Sequence, residues 1–205
     1  MAYPVMLNVK GKRCLVVGGG VVGARKARGL LKEGARVTVL SSSFHEQLNG
    51  ITYIDARYDV SHLDTVEPWL VITATDNHDT NAQIMADAHA RGAIVMRADD
   101  SKAGDAHGVM KRERDGVTIT AATGVPTFSR YLMDEIETML TPGLLDLAAE
   151  LAEIRAELRR TLPTADDRTS AWQAIEAFIP VWRERFEAGE IVNIREEVEA
   201  IILEA

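Results

Sequence analysis

Three glycines with a defined spacing, Gly18, Gly20 and Gly23, follow an apolar run and precede a stretch with apolar residues at helical spacing. In a strand–turn–helix unit, the first glycine permits a tight turn and the second lets a pyrophosphate approach the backbone. The third lets the helix lie close to the strand. The helix N-terminus then offers free N–H groups and partial positive charge to an anion. The motif predicts a dinucleotide site, and the alternative is a glycine turn that serves packing alone.

Three serines, Ser41, Ser42 and Ser43, stand where an acidic residue usually binds the ribose hydroxyls of a dinucleotide. Serine hydroxyls can hydrogen-bond a ribose diol or a 2′-phosphate, and no arginine stands among them to pair with the phosphate. We therefore expect NAD rather than NADP. The alternative is a solvated polar loop.

Asp99 closes an apolar segment, residues 93–99, that predicts a strand. In open α/β sheets, ligands bind at the carboxyl ends of the parallel strands. A carboxylate at that edge could act as a catalytic proton acceptor or orient a substrate. Two alternatives stay open: Asp99 caps the next turn, or Asp100 takes the role.

The histidines are scattered along the chain without the spacing of metal ligands. They are His45, His62, His78, His89 and His107. Cys14 is the single cysteine, so no internal disulfide can form, and we expect its side chain to be buried in the first strand. The sequence therefore indicates no permanent metal site. His107 lies in the loop after Asp99 and could assist metal passage, with an exposed loop histidine as the alternative.

Strands and helices alternate along the first half of the chain. The strands are predicted at 13–17, 36–40, 51–58, 70–76 and 93–99. Helices are predicted from the glycine turn to Gly34 and at 81–92, since apolar residues recur there at helical spacing. This alternation predicts an α/β domain of the Rossmann type, with a parallel sheet, over residues 1–110.

The pattern changes after Asp99, where residues 99–108 are polar and aperiodic, as in an active-site loop or a domain seam. Residues 111–143 combine an alternating segment at 116–123 with a helix that Pro126 opens. We therefore predict a small strand-and-helix region there.

The remaining residues, 144–205, repeat apolar side chains every three or four positions. This spacing predicts a C-terminal helical domain. Pro180 should divide or kink one of its helices, and Asn193 with Glu196 resembles a capping box that opens the last one.

The chain has 205 residues, of which 46% are hydrophobic and 26% charged, as in globular proteins and unlike disordered ones. Its formal net charge of −8, most of it carried by residues 144–205, disfavours a general nucleic-acid binder. The sequence contains no basic-then-apolar leader and no apolar run of about 18 residues. We therefore expect a cytoplasmic protein with no membrane partner.

Several longer segments occur in an order and spacing that match a known family. They are PVMLNV at 4–9, LVVGGGVVGARKARGLLKEGARVTVL at 15–40, VITATDNHDTN at 71–81, IVMRADD at 94–100 and TITAATGVPTFSRYLMDEIE at 118–137. Over about residues 1–140 the chain resembles the precorrin-2 dehydrogenase / sirohydrochlorin ferrochelatase family, the N-terminal module of siroheme synthases. The most specific pieces are GGGxVxxRK and the ATD–N pair.

The resemblance implies an NAD-dependent oxidation of precorrin-2 to sirohydrochlorin by a homodimer, with residues 111–143 as its dimerisation region. Some members of the family also insert Fe²⁺. The essential aspartate of the family falls on Asp99. The coenzyme contacts that the resemblance implies, beyond the glycines, are Val21, Val22, Ser42, Ser43 and Thr75.

Precorrin-2 is a polycarboxylate, so a chain with a net negative charge needs local cations to bind it. Basic residues near the segment after Asp99 are candidates for this role. They are Lys102, Lys111, Arg112, Arg114 and Arg130. Each could instead be an ordinary solvated side chain.

Two segments depart from the family pattern. Residues 96–99 read Met-Arg-Ala-Asp where the family usually has Asn-Val-Val-Asp, and the Phe-x-x-Pro that commonly follows is absent from residues 100–111. Residues 123–126, Thr-Gly-Val-Pro, shorten the family's Gly-Gly-x-Ser-Pro turn. Two alternative functions stay open: a bifunctional enzyme that also acts as a ferrochelatase, and a non-catalytic NAD-sensing regulatory module.

Overall fold

A sheet of five parallel strands lies at the centre of the first of two units, which divide between Gly108 and Val109. The computed structural model describes residues 3–100, 102–190 and 192–204. The strands of the sheet are β1 (Arg13–Val17), β2 (Arg36–Ser41), β3 (Thr52–Asp55), β4 (Leu70–Thr73) and β5 (Ile94–Arg97). Their order across the sheet is β3-β2-β1-β4-β5, and each neighbouring pair is parallel. The predicted Rossmann-type sheet is confirmed.

Three helices connect these strands. They are α1 (Val21–Lys32), α2 (Ser61–Val66) and α3 (His78–His89). Helix α3 begins three residues before the predicted start, because the Asn77 side chain accepts a hydrogen bond from the Thr80 N–H at 2.8 Å and caps the first turn. The sequence does not predict α2, since its six residues contain one apolar pair, Leu63 and Val66, which is too short a pattern to establish a helical period.

Alternate side chains of β1 pack on opposite faces of the sheet. Cys14 and Val16 belong to one hydrophobic core, and Leu15 and Val17 belong to the other. Every residue of β4 is buried, because the sheet is covered on both faces at this strand.

Helices α1 and α3 lie on opposite faces, since Ala27 of α1 joins the first core and Ile84 of α3 joins the second. The strands that lead into them, β1 and β4, are direct neighbours in the sheet. Strands β2 and β3 therefore lie on one side of β1, and strands β4 and β5 lie on the other. In such folds a crevice opens at the carboxyl ends of β1 and β4, and ligands bind there.

The second unit begins with an antiparallel hairpin of β6 (Met110–Arg114) and β7 (Val117–Ala121). Its two-residue turn, Asp115-Gly116, has φ values of 47° and 82°, which fit a type I′ turn. The sequence predicts β7 but misses β6, because its Lys-Arg-Glu-Arg run shows no apolar alternation. The Asp-Gly pair was the available signal. Helix α4 (Pro126–Thr138) packs on both strands and begins at the predicted proline.

Further helices enclose a separate core in the second unit. They are α5 (Pro142–Thr161), α6 (Ala165–Glu176), α7 (Ile179–Glu187) and α8 (Ile194–Glu204). Pro180 lies in the first turn of α7 and separates it from α6, as predicted. Trp182 is fully buried in this core and donates a hydrogen bond to Glu197 at 2.8 Å.

The helical C-terminal region is confirmed by this arrangement. Before α8, the Asn193 amide donates to the Glu196 carboxylate at 2.8 Å, so these two residues meet at the helix start as predicted. The finer boundary at residue 143 stays a prediction. Within the described ranges, no helix has both the length and the apolar character needed to cross a bilayer.

Candidate functional site

The turn between β1 and α1 packs closely against the end of β4. Gly18 has a φ of +115°, and a Cβ at this position would lie 2.3 Å from the carbonyl oxygen of Ala74. A Cβ on Gly23 would lie 1.9 Å from the carbonyl oxygen of Gly18. Packing alone therefore requires glycine at both positions.

Gly20 is different, because neither packing nor backbone conformation requires a glycine there. Its φ is −70°, and a Cβ would meet no atom within 4 Å. The open space lies at the N-terminus of α1, whose first turn contains no acidic residue. The first N–H groups of a helix have no acceptor within it, so they face this space with the positive end of the helix dipole. The position fits a pyrophosphate, which a side chain would displace.

A cleft of about 600 Å³ opens beside this turn at the carboxyl edge of the sheet. The predicted coenzyme contacts in its wall are Gly18, Gly20, Ser42, Ser43 and Thr75. Gly23 is outside the wall because it packs beneath the turn. Val21 and Val22 are also outside it, with their side chains exposed on the first turn of α1.

Arg57 lines the same cleft and was missed by the sequence reasoning. Strand β3 pairs with β2 so that Asp55 lies opposite Ser41, and the residues after both strands therefore reach the same edge. Arg57 lies well beyond the serine segment in the sequence, so it does not stand out as a neighbour of the serines. Adjacency of β2 and β3 was the signal that could have found Arg57. The cleft combines hydroxyl groups with a guanidinium, and both bind ribose or phosphate oxygens.

Asp99 lies just beyond β5, and its side chain is 13% exposed. Arg97 donates to both of its carboxylate oxygens, at 3.1 and 2.6 Å. The Nδ1 atom of His78 lies 2.7 Å from Oδ2 of the same carboxylate, and the nearby Asn81 amide helps to lower the pKa of Asp99. The Arg97 hydrogen bond in particular holds the pKa of Asp99 well below its usual range. Asp99 is therefore a firmly ionised carboxylate.

Asn81 connects this carboxylate to the coenzyme cleft. Its side chain is buried, accepts a hydrogen bond from the Thr75 hydroxyl at 2.7 Å and donates to the Thr75 carbonyl at 3.1 Å. The ATD–N pair of the sequence is thus a structural link between the loop after β4 and Asp99. The motif alone indicates no role for Asn81. Only the fold brings its amide to both partners.

The predicted substrate cations are divided between the two units. Lys102 belongs to the first, in the loop after Asp99, and its side chain is exposed. Its backbone N–H donates to the Asp100 carboxylate at 3.0 Å, so Asp100 serves the local turn.

The other four cations belong to the second unit, and Arg114 among them donates to the Leu140 carbonyl at 3.0 Å. Arg112 on β6 pairs with Glu137 at 3.1 Å and Asp134 at 3.0 Å, both on α4, and these carboxylates raise the pKa of its guanidinium. Lys111 lies 3.1 Å from a carboxylate oxygen of Glu113. Arg130 is exposed on α4.

Within the part of the chain that the structure describes, no three His, Cys, Asp or Glu side chains are grouped so as to hold a metal ion. Cys14 is buried as predicted, and burial raises the pKa of its thiol to about 11. A thiol with such a pKa stays protonated and unreactive at neutral pH.

Comparison with known proteins agrees with this site. The family model described as "Putative NAD(P)-binding" matches residues 5–108. Siroheme synthase of Chromobacterium violaceum is 30% identical over 181 residues, or 84% of this chain and 38% of the relative. Siroheme synthase of Gluconobacter oxydans is 32% identical over 181 residues, or 83% of this chain and 38% of the relative. The chain thus spans about two fifths of the curated relatives that it matches.

The solved structure described as "SirC, precorrin-2 dehydrogenase" superposes with a TM-score of 0.70 at 19% identity, and the match covers 98% of each chain. At this identity the match shows a shared fold. These relatives confirm the resemblance to siroheme synthases. The family match at residues 5–108 includes the glycine turn and every residue of the cleft wall. The chain therefore belongs to this NAD(P)-binding family.

Proposed function

We propose that the protein is an NAD-dependent oxidoreductase that oxidises precorrin-2 to sirohydrochlorin in siroheme and related tetrapyrrole synthesis. The observation that carries the proposal is the open space at Gly20, at the head of α1 and within a cleft that reaches Thr75. The similarity to siroheme synthases and the shared fold with a precorrin-2 dehydrogenase support the choice of substrate.

The residues of the cleft fit a nicotinamide dinucleotide, which accepts a hydride when bound. The backbone at Gly18 and Gly20 and the N–H groups of Val21 and Val22 would hold the pyrophosphate. Ser42 and Ser43 would hold the ribose, with Arg57 beside them, and Thr75 would contact the other half of the coenzyme. We propose NAD as the coenzyme, as expected from the serine segment. Arg57 beside the serines can also pair with a 2′-phosphate, so the comparison of NAD with NADP described below decides between the two coenzymes.

The oxidation removes one hydride and one proton from precorrin-2. Asp99 is the proposed catalytic residue, with two roles considered from the sequence, as proton acceptor and as orienting group. Its place at the carboxyl end of β5, linked through Asn81 to the coenzyme cleft, supports a position beside the reacting carbons. Lys102, Lys111, Arg112 and Arg130 are the proposed partners of the substrate carboxylates. We further propose a cytoplasmic homodimer.

The test uses purified protein and anaerobic precorrin-2, with NAD or NADP supplied in turn. Reduced coenzyme and sirohydrochlorin should appear together and in equal amounts. Asp99→Ala should keep its coenzyme affinity by calorimetry, since Asp99 is outside the cleft wall, but lose oxidation. Asp100→Ala is the matched control and should remain active. Coenzyme binding without turnover in the wild-type protein would instead identify a regulatory module.

A further inference from the structure

An imidazole and a carboxylate form a close pair at the first turn of α3. The Nδ1 atom of His78 lies 2.7 Å from Oδ2 of Asp99. The His78 side chain is 74% exposed, whereas that of Asp99 is 13% exposed. The pair therefore has a buried anionic end and an open imidazole end. His78 immediately follows Asn77 and precedes Thr80, both of which line the coenzyme cleft.

The carboxylate determines which nitrogen of His78 can accept a proton. An ionised Asp99 can only accept a hydrogen bond, so the neutral imidazole carries its hydrogen on Nδ1. The Nε2 atom is then the unprotonated nitrogen. No hydrogen bond to Nε2 from another described residue is present.

Asp99 itself is poorly suited to accept a proton. Its two hydrogen bonds from Arg97, at 3.1 and 2.6 Å, would be weakened by protonation. A proton acceptor works best when its affinity for the proton matches the working pH, and a histidine meets this condition near neutrality. Arg97 stands where the family usually has a valine, and a valine could not donate these two hydrogen bonds to the carboxylate.

Arg97 also fixes the position of the imidazole. Its guanidinium donates to the backbone carbonyl of His78 at 3.4 Å, in addition to both oxygens of Asp99. The end of β5 therefore holds the backbone and the side chain of His78 together. A positive charge that forms on the imidazole would face the Asp99 carboxylate directly.

We propose that His78 Nε2 accepts the proton that precorrin-2 releases during its oxidation, with Asp99 as the positioning residue. This inference rests on the proposed function. One C–H bond of the substrate breaks with transfer of a hydride to the nicotinamide coenzyme. A second hydrogen leaves as a proton to Nε2, and the electron pair of its bond remains in the macrocycle as a new double bond. The imidazolium then returns the proton to water.

The first test is independent of turnover. In the coenzyme-free protein, ¹⁵N NMR of the histidine side chains should show His78 as the Nδ1–H tautomer when neutral. Asp99→Asn should remove this tautomer preference, because the asparagine amide can donate to Nδ1 as well as accept from it. A neutral His78 with its hydrogen on Nε2 would overturn the proposal.

The second test is kinetic. His78→Gln should lower kcat about 100-fold and leave the coenzyme Kd within threefold, since loss of a general base typically costs 10²–10⁴-fold. The matched control is His89→Gln at the opposite end of α3, where His89 pairs with Asp105 at 2.8 Å. This variant should keep its wild-type kcat.

The outcomes separate this inference from the proposed function. A wild-type protein that oxidises precorrin-2 and a His78→Gln variant within twofold of its rate would overturn the role of His78 alone. A wild-type protein that oxidises no precorrin-2 with either coenzyme would overturn both. The pH profile adds a third readout, because any acid limb of kcat that arises from His78 should be absent in His78→Gln.

Discussion

Arg97 is the last residue of β5, and Asp99 follows two positions later. Both side chains are nearly buried. Burial of a carboxylate is unfavourable unless it is paired, and Arg97 supplies two hydrogen bonds from one planar group. The sequence shows Arg97 only as a departure from the family pattern. The structure shows it as the counterion of the residue proposed to be essential.

Arg97→Met should destabilise the protein by about 2 kcal/mol at pH 7, because it leaves a buried carboxylate with only His78 and Asn81 as partners. Arg97 lowers the pKa of Asp99. The stability that the pair contributes is therefore complete above about pH 4, and it is lost as the pH falls toward the lowered value. Urea unfolding at several pH values should show the difference between variant and wild type shrinking from pH 7 to about pH 3.

The control is Arg13→Met, which removes an exposed ion pair with Glu67 at 3.0 Å. Exposed pairs contribute little, so this variant should lose less than about 1 kcal/mol. If the cost of Arg97→Met were independent of pH, Asp99 would not be the partner that Arg97 stabilises.

In the turn between β1 and α1, different glycines are needed for different reasons, which the sequence motif does not distinguish. Gly18 and Gly23 are required by contacts of 2.3 and 1.9 Å that a Cβ would make with backbone oxygens. Gly20 has open space around it. The motif predicts the turn, but it does not distinguish a glycine that packing requires from a glycine that a ligand would require.

Gly20→Ala should therefore fold with wild-type stability and bind the coenzyme at least about tenfold more weakly, because the added methyl occupies the place of the pyrophosphate. Gly29→Ala is the matched control, since Gly29 lies within α1 and a Cβ there also meets no atom within 4 Å. It should raise stability by roughly 0.5–1 kcal/mol and leave coenzyme affinity unchanged. Isothermal calorimetry and thermal unfolding measure both quantities, and wild-type affinity in Gly20→Ala would place the pyrophosphate elsewhere.

Other elements show where sequence patterns fail. Parallel strands buried on both faces carry long apolar runs, so strands such as β1 and β4 were predictable. Strand β6 consists mainly of charged residues and is held by pairing with β7, which no local pattern records. Arg57 joins the cleft because β3 lies beside β2, so its role depends on strand order rather than on a motif. Local periodicity therefore predicts individual strands and helices. Which residues meet in the cleft depends on the order of the strands in the sheet.

For the molecule as a whole, helix α4 presents an apolar surface that its own unit does not cover. Phe128 is 53% exposed and Tyr131 is 58% exposed, and their rings stack with centroids 6.1 Å apart. Val125, at the start of the same helix, is also exposed. Contiguous exposed apolar side chains commonly mark an interaction surface. They support the proposed dimerisation region at residues 111–143, with a second copy of the chain as the partner.

Replacing both Phe128 and Tyr131 with glutamate should abolish the proposed dimer, because two carboxylates on each copy would meet in an apolar contact. Sedimentation velocity should then change from a dimer to a single 22.5 kDa chain. The helical circular dichroism should be retained, since neither side chain belongs to a core. Val181→Glu is the control, because Val181 on α7 is 53% exposed outside this region and should leave the dimer intact. A wild-type protein that sediments as a monomer at micromolar concentration would refute the assignment, and the exposed rings of α4 would then need another partner.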